Sequence, residues 1–123
     1  MKRFLNLSLL LSAFFALAPV AALATELVMV DEEGCIWCQR WEEEIGPSYP
    51  NTTEGAFAPL RKINIRDVAD KIEISRRVNF TPTFLLVENG RELARLEGYP
   101  GEHFFFPLLG DLLGEHTAFK MAE

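Results

Sequence analysis

The chain has 123 residues, 49% of them hydrophobic and 24% charged, with two cysteines and a formal charge of −6. That length suits a single domain, and the apolar and aromatic content excludes collagenous and disordered classes. Twelve Lys and Arg against eighteen Asp and Glu is the wrong sign for a nucleic-acid partner, and one cysteine pair is too few for a disulfide-rich scaffold.

The first residues read as an address. Met1-Lys2-Arg3 is a basic start, Phe4 to Ala18 is an uncharged apolar run, and Pro19 opens a small-residue stretch ending Ala22-Leu23-Ala24. This is the layout of a bacterial secretory signal, expected to be cleaved near Ala24, so 1–24 is read as a signal peptide and 25–123 as the mature domain. An uncleaved anchor is disfavoured because Pro19 interrupts an apolar stretch already near the lower limit for a membrane span. A lipoprotein is excluded, because no cysteine lies near the cut. Cleavage removes Lys2 and Arg3 and no acid, so the formal charge moves from −6 to −8. Export to the periplasm puts the cysteines where a disulfide persists.

Leu27 to Val30 reads as a buried strand, followed by a sharp exit through Asp31-Glu32-Glu33-Gly34. From Cys35 the pattern turns helical, with Trp37, Trp41 and Ile45 on one face and Glu42, Glu43 and Glu44 turned outward until Gly46-Pro47 stops it. Ser48 to Gly55 is a loop with room for one helical turn before Pro59, and Thr52-Thr53 is a cap candidate. Leu60 to Ile65 alternates as a second strand. Asp67 is expected to cap a helix whose core contacts are Val68, Ile72 and Val78. Thr81-Pro82 breaks that pattern, and Thr83 to Val87 is a third strand. Asn89-Gly90 signals a hairpin into a fourth strand, Glu92 to Leu96. After the turn Gly98-Tyr99-Pro100-Gly101, Glu102 to Leu113 is a last helix through Phe105, Leu108, Leu109 and Leu112. Pro107 requires that helix either to begin near Phe106 or to bend. The order β-α-β-α-β-β-α predicts an α/β fold with a mixed central sheet covered by helices.

Cys35 and Cys38 form a C-x-x-C at a helix start. There, unsatisfied N–H groups and the helix dipole favour a thiolate at Cys35, and Cys38 lies one turn along on the same side. The spacing supports two-step exchange in which Cys35 attacks and Cys38 resolves. Zinc is disfavoured: only His103 and His116 are available to complete four ligands, and their spacing is wrong. A purely structural disulfide would close too short a loop to contribute much, and unpaired thiols are out of place in an oxidising compartment. No cofactor or metal is expected.

Over the mature length the chain resembles the thioredoxin superfamily. The features that carry the resemblance are the strand before Gly34-Cys35-Ile36-Trp37-Cys38, Lys62-Ile63-Asn64-Ile65, Thr81-Pro82-Thr83, Asn89-Gly90 and Gly98. The resemblance implies a thioredoxin-like fold, a cis-proline at Pro82 facing the cysteines, and a substrate strand paired to the backbone of Thr81. Thr81, Pro82 and Trp37 are accordingly the expected substrate-binding residues. More narrowly, Gly46 to Pro50, Glu54-Gly55, Ala58 to Arg61 and Gly98 to Phe105 look like the small periplasmic thioredoxins of bacterial sulfur-oxidation (Sox) systems. That similarity implies a role in keeping thiols of a sulfur-carrier protein reduced.

The sequence departs from the family pattern at two places. Gly34 stands where a Trp is usual, and Met29 stands where a buried acid is usual, so the resolving step needs another base. Asp31, Glu32 or Glu33 acting through water is one source, although most of these read as ordinary solvated loop acids, and Lys62 either tunes Cys38 or is a solvated cation. Ile36-Trp37 supplies no basic residue between the cysteines, and the acidic approach opposes thiolate formation at Cys35 by like charge. A less stabilised thiolate makes a better reductant, so the expected activity is a protein disulfide oxidoreductase working as a reductase or isomerase, not an oxidase. Its expected partners are a protein thiol or disulfide and an inner-membrane electron donor, with the protein itself a monomer. The alternatives are a redox-inactive binding module that docks a partner on Trp37, Tyr99 and Phe104 to Phe106, and a disulfide oxidase or isomerase built on the same cysteine pair.

Overall fold

The computed structural model describes residues 24–121 together with Leu17, so the export segment lies outside the described residues except at Leu17 and Ala24. Among them are four strands, β1 (Thr25–Asp31), β2 (Leu60–Asn64), β3 (Thr83–Glu88) and β4 (Arg91–Glu97). Four α-helices accompany them: α1 (Ile36–Glu44), α2 (Thr53–Phe57), α3 (Val68–Lys71) and α4 (Glu102–His116). The strands form one sheet in the order β2-β1-β3-β4. β1 runs parallel to β2 and antiparallel to β3, which is antiparallel to β4, so the sheet is mixed as the element order predicts. No helix among the described residues is long and apolar enough to cross a membrane.

Alternation along the central strands divides the core into two layers. Leu27, Met29, Phe84 and Leu86 face α1 and α4, where they meet Trp41, Ile45, Tyr49, Phe105, Leu109 and Leu113. Val28, Val30, Leu85 and Val87 face the other way, onto Ile63, Val68, Ile72 and Val78. Both central strands are buried on both faces, which is why they read as continuous apolar runs. The first layer is built on rings: Phe84 lies 5.0 Å from Phe105 and 5.3 Å from Trp41, centroid to centroid. Truncating Trp41 here would cost about 3–5 kcal/mol.

Connections follow local chemistry. Thr52 caps α2 by accepting from the Gly55 N–H at 2.9 Å, and a 3-10 turn at Tyr49–Asn51 precedes it, filling the loop left open between the first two strands. At the hairpin, Asn89 and Gly90 both take positive φ, 52° and 74°, the geometry that matches the twist of paired strands.

Three expectations are corrected. The helix begun at Asp67 does not reach Val78: α3 ends at Lys71, and Asp67 makes no side-chain cap. Ile72 and Val78 are nevertheless buried, because residues 73–77 are tied to the hairpin by long-range bonds. Glu73 donates its N–H to Gly90 O and accepts from Glu92 N, and Arg95 Nη2 donates to the Arg76 carbonyl at 2.8 Å. Those long-range bonds compete with helix continuation and win. The last helix neither starts late nor stops at Leu113; it runs Glu102–His116 through Pro107, whose missing N–H leaves only the carbonyl of exposed His103 without its helical donor. On that helix Leu108 is exposed, and Leu113 takes the buried place.

Candidate active site

The site forms where β1 leaves the sheet and β3 enters it. Val30 pairs with Thr83, so the loop Glu32–Gly34 and the segment Phe80–Pro82 emerge side by side. Cys35 is the N-cap of α1. Its backbone N–H reaches the Glu32 carbonyl at 3.3 Å, and its sulfur accepts from the Cys38 N–H at 3.1 Å. When the pair is reduced, that donor and the helix dipole both favour negative charge on Cys35. Here the two cysteines are joined in a disulfide.

The sulfurs are unequally placed. Cys35 is half-buried at the rim, whereas Cys38 is 4% exposed and packs in the layer with Met29, Trp41 and Phe84. An incoming thiol or disulfide therefore meets Cys35 first.

The Thr81-Pro82 bond is cis. Pro82 is buried and Thr81 half-buried, and the Thr81 hydroxyl donates to Glu32 Oε1 at 2.9 Å, tying the proline segment to the loop that carries Cys35. Trp37 does not share a buried face with Trp41 and Ile45. It is 53% exposed, because the buried face of α1 is centred on Cys38, Trp41 and Ile45 and leaves Trp37 at its edge, and Arg40 lies over its ring at 5.3 Å. A groove beside it is lined by Arg40, Glu44, Tyr99, Gly101 and His103. Of the aromatic docking face considered from the sequence, Trp37 and Phe104 are exposed; Tyr99 and Phe105 belong to the core, and Phe106 is half-buried. Phe80, 61% exposed next to Thr81, is a further exposed apolar side chain of the proline segment, and no periodicity in the sequence singles it out. Its signal was adjacency to Thr-Pro.

The helix acids are not simply solvated. Glu44 accepts from the Tyr99 hydroxyl, and Glu42 from the Lys62 ammonium. The Glu42 hydrogen bond holds Lys62 above the usual ammonium range. Burial pushes the Asp31 carboxyl up; Lys62 opposes that rise and Glu42 adds to it. Among the described residues no three His, Cys, Asp or Glu side chains are gathered to hold a metal.

No family model matches the sequence, and no curated protein matches it either. Among solved structures, the chain is similar to the reduced form of the periplasmic thioredoxin SoxS from Paracoccus pantotrophus. The two are 47% identical over 74% of this chain and 97% of that one, with a TM-score of 0.70. The chain belongs to the thioredoxin superfamily. Fold and cysteine pair together make this thioredoxin a thiol–disulfide oxidoreductase that acts on protein thiols. Membership also gives meaning to Gly34. Its φ of 80° is a conformation that side chains rarely adopt, which accounts for glycine where thioredoxins usually carry Trp.

Proposed function

We propose that this thioredoxin is an exported periplasmic reductase that keeps the thiols of a partner protein reduced, the partner being the sulfur-carrier protein of a sulfur-oxidation pathway. The observation that carries the exchange mechanism is the unequal burial of the two sulfurs. The Cys35 thiolate attacks a partner disulfide and one partner sulfur leaves as a thiolate. Cys38, deprotonated, then attacks the Cys35 sulfur of the mixed disulfide. The Cys35–Cys38 bond forms, the second partner thiol is released, and two electrons have passed to the partner.

Three features support the rest of the reading. Asp31, Glu32 and Glu33 surround the approach to Cys35 with negative charge, which favours donation of electrons over their withdrawal. Similarity to a periplasmic thioredoxin and the signal-like 1–24 segment support export with cleavage near Ala24. Thr81, Pro82 and Trp37, with Phe80 beside them, are the substrate-facing residues in this reading. The protein works as a monomer, re-reduced by an inner-membrane donor.

The test is a Cys38→Ser variant expressed with its export segment, which traps the mixed disulfide at Cys35 for identification of the partner. Insulin reduction by the wild type, absent from Cys35→Ser and Cys38→Ser, is the expected companion result. A reduction potential near that of dedicated periplasmic oxidants, about −120 mV, would overturn the direction of flow. Undiminished insulin reduction in both serine variants would overturn the mechanism.

A further inference from the structure

Resolution of the mixed disulfide needs Cys38 as a thiolate, yet Cys38 is buried beside Met29, a residue that cannot accept a proton. Burial in apolar surroundings raises a thiol's pKa, so the step calls for a nearby acceptor. Register identifies the candidates. Asp31 lies two residues beyond Met29 on β1 and so on the same face of the sheet, the face against which Cys38 packs. Lys62 is the β2 partner of Met29 and shares that face. Glu42 follows Cys38 by four residues on α1, one turn along the same side, and its carboxylate bonds Lys62 across to the sheet.

The other acids of the approach are engaged or turned away. Glu32 accepts from Thr81, and Glu33 is exposed. The charges acting on Asp31 are Lys62 from β2 and Glu42 from α1. The neighbouring residues of β3, Thr83 and Phe84, and those of α4, Phe105 and Leu109, bring none.

We propose that Asp31 is the proton acceptor for Cys38 in the resolving step, with the Glu42–Lys62 pair as the positioning unit that sets when it is ready. The Cys38 thiol gives its proton to the Asp31 carboxylate, and the resulting thiolate attacks the Cys35 sulfur. The bond from Cys35 to the partner breaks, and the departing partner thiolate takes up a proton from Asp31 or from solvent, so atoms and charge balance. Asp31 must be ionised to accept. Because Lys62 lowers its pKa and Glu42 raises it, the two neighbours shift its readiness in opposite directions.

This inference rests on the exchange mechanism proposed above, and the test separates the two. The reduced protein is mixed rapidly with an aromatic disulfide that releases one coloured thiolate when Cys35 attacks and a second when Cys38 resolves. In Asp31→Asn the second release is expected to slow at least about tenfold at neutral pH while the first stays within about twofold. Lys62→Met should move the pH inflection of the second release upward, and Glu42→Gln should move it downward. A purely structural role for the cluster would not shift the two in opposite directions. A wild-type rate and pH profile for the second release in Asp31→Asn would overturn the assignment, as would an inflection that neither charge variant moves. If the wild type shows no second release at all, it is the exchange mechanism that fails.

Discussion

The Thr81 hydroxyl donates to the Glu32 carboxylate at 2.9 Å, so the residue preceding the cis-proline is fastened to the residue whose carbonyl holds the Cys35 amide. One acid thus spans both halves of the site. Thr81→Val and Glu32→Ala should each raise KM for a protein disulfide about fivefold, the value of one hydrogen bond near 1 kcal/mol, with little change in kcat. Glu32→Gln keeps an acceptor for Thr81 and should leave KM near the wild-type value. By removing a negative charge it should also lower the pH at which Cys35 of the reduced protein becomes reactive, read as the inflection of its alkylation rate.

The side chains of Glu92 and Arg95 are 2% and 6% exposed, and Arg95 Nη2 meets Glu92 Oε2 at 2.8 Å. Burial pushes the Glu92 carboxyl up, but the Arg95 hydrogen bond and the Ser75 N–H, also at 2.8 Å, outweigh it and hold the group below its usual range. A lowered folded pKa makes this a stabilising contribution present above the ordinary value of 4.5 and lost as pH falls through the folded one. Glu92→Ala should destabilise by about 3–5 kcal/mol in urea unfolding near pH 7, because it strands the Arg95 guanidinium. Replacing both partners with Leu and Met should restore most of the loss.

Gly55 lies where α2 passes over the carbonyl of Tyr49, and an added Cβ would sit 1.8 Å from that oxygen. Backbone cannot yield as a side chain would, so Gly55→Ala should cost at least about 3 kcal/mol. Tyr49→Phe tests the same corner more gently. It removes a buried hydroxyl that donates to the Ala58 carbonyl at 2.7 Å and should cost about 1–2 kcal/mol. Thermal or urea unfolding of the two variants would rank them.

Asp31 behaves oppositely to Glu92. Its folded pKa lies above its ordinary value of 3.8, so between the two the native state binds more protons than the unfolded chain. Stability therefore falls as pH rises through that window. Asp31→Asn should melt at a higher temperature than the wild type at pH 7, and the difference should shrink as pH drops below 3.8. A variant that gains stability while losing its resolving step would show that the carboxylate is kept for chemistry.

Most of the fold is legible in the sequence because its signals are local. β1 and β3 announce themselves as apolar runs, Asn89-Gly90 as a turn with two positive φ values, and Cys35 as the start of a helix. Residues 73–77 are not legible. Their path is decided by Gly90, Glu92 and Arg95, partners seventeen or more positions away, and helical spacing at Ile72 and Val78 imitates a longer α3. Trp37 misleads differently. Spacing places it in line with Trp41, but the buried face of the helix is centred on Cys38, Trp41 and Ile45, which leaves Trp37 at its edge. The Glu42–Lys62 contact joins residues twenty positions apart across two elements; Lys62 stands out in the sequence by its match to the family pattern, whereas Glu42 reads only as an outward-facing helix acid.

The strand order β2-β1-β3-β4 leaves two outer edges, and each is guarded in its own way. β2 carries the exposed cations Arg61 and Lys62, and the start of β4 is covered by Glu73, which bridges to Arg91. Further along β4 the Glu92–Arg95 pair points inward, and the ladder to β3 slips at Leu86/Val87. Charges and irregularities of this kind deter the docking of a foreign strand. A thiol–disulfide oxidoreductase that acts on protein thiols thus keeps its flanks from being extended into a larger sheet.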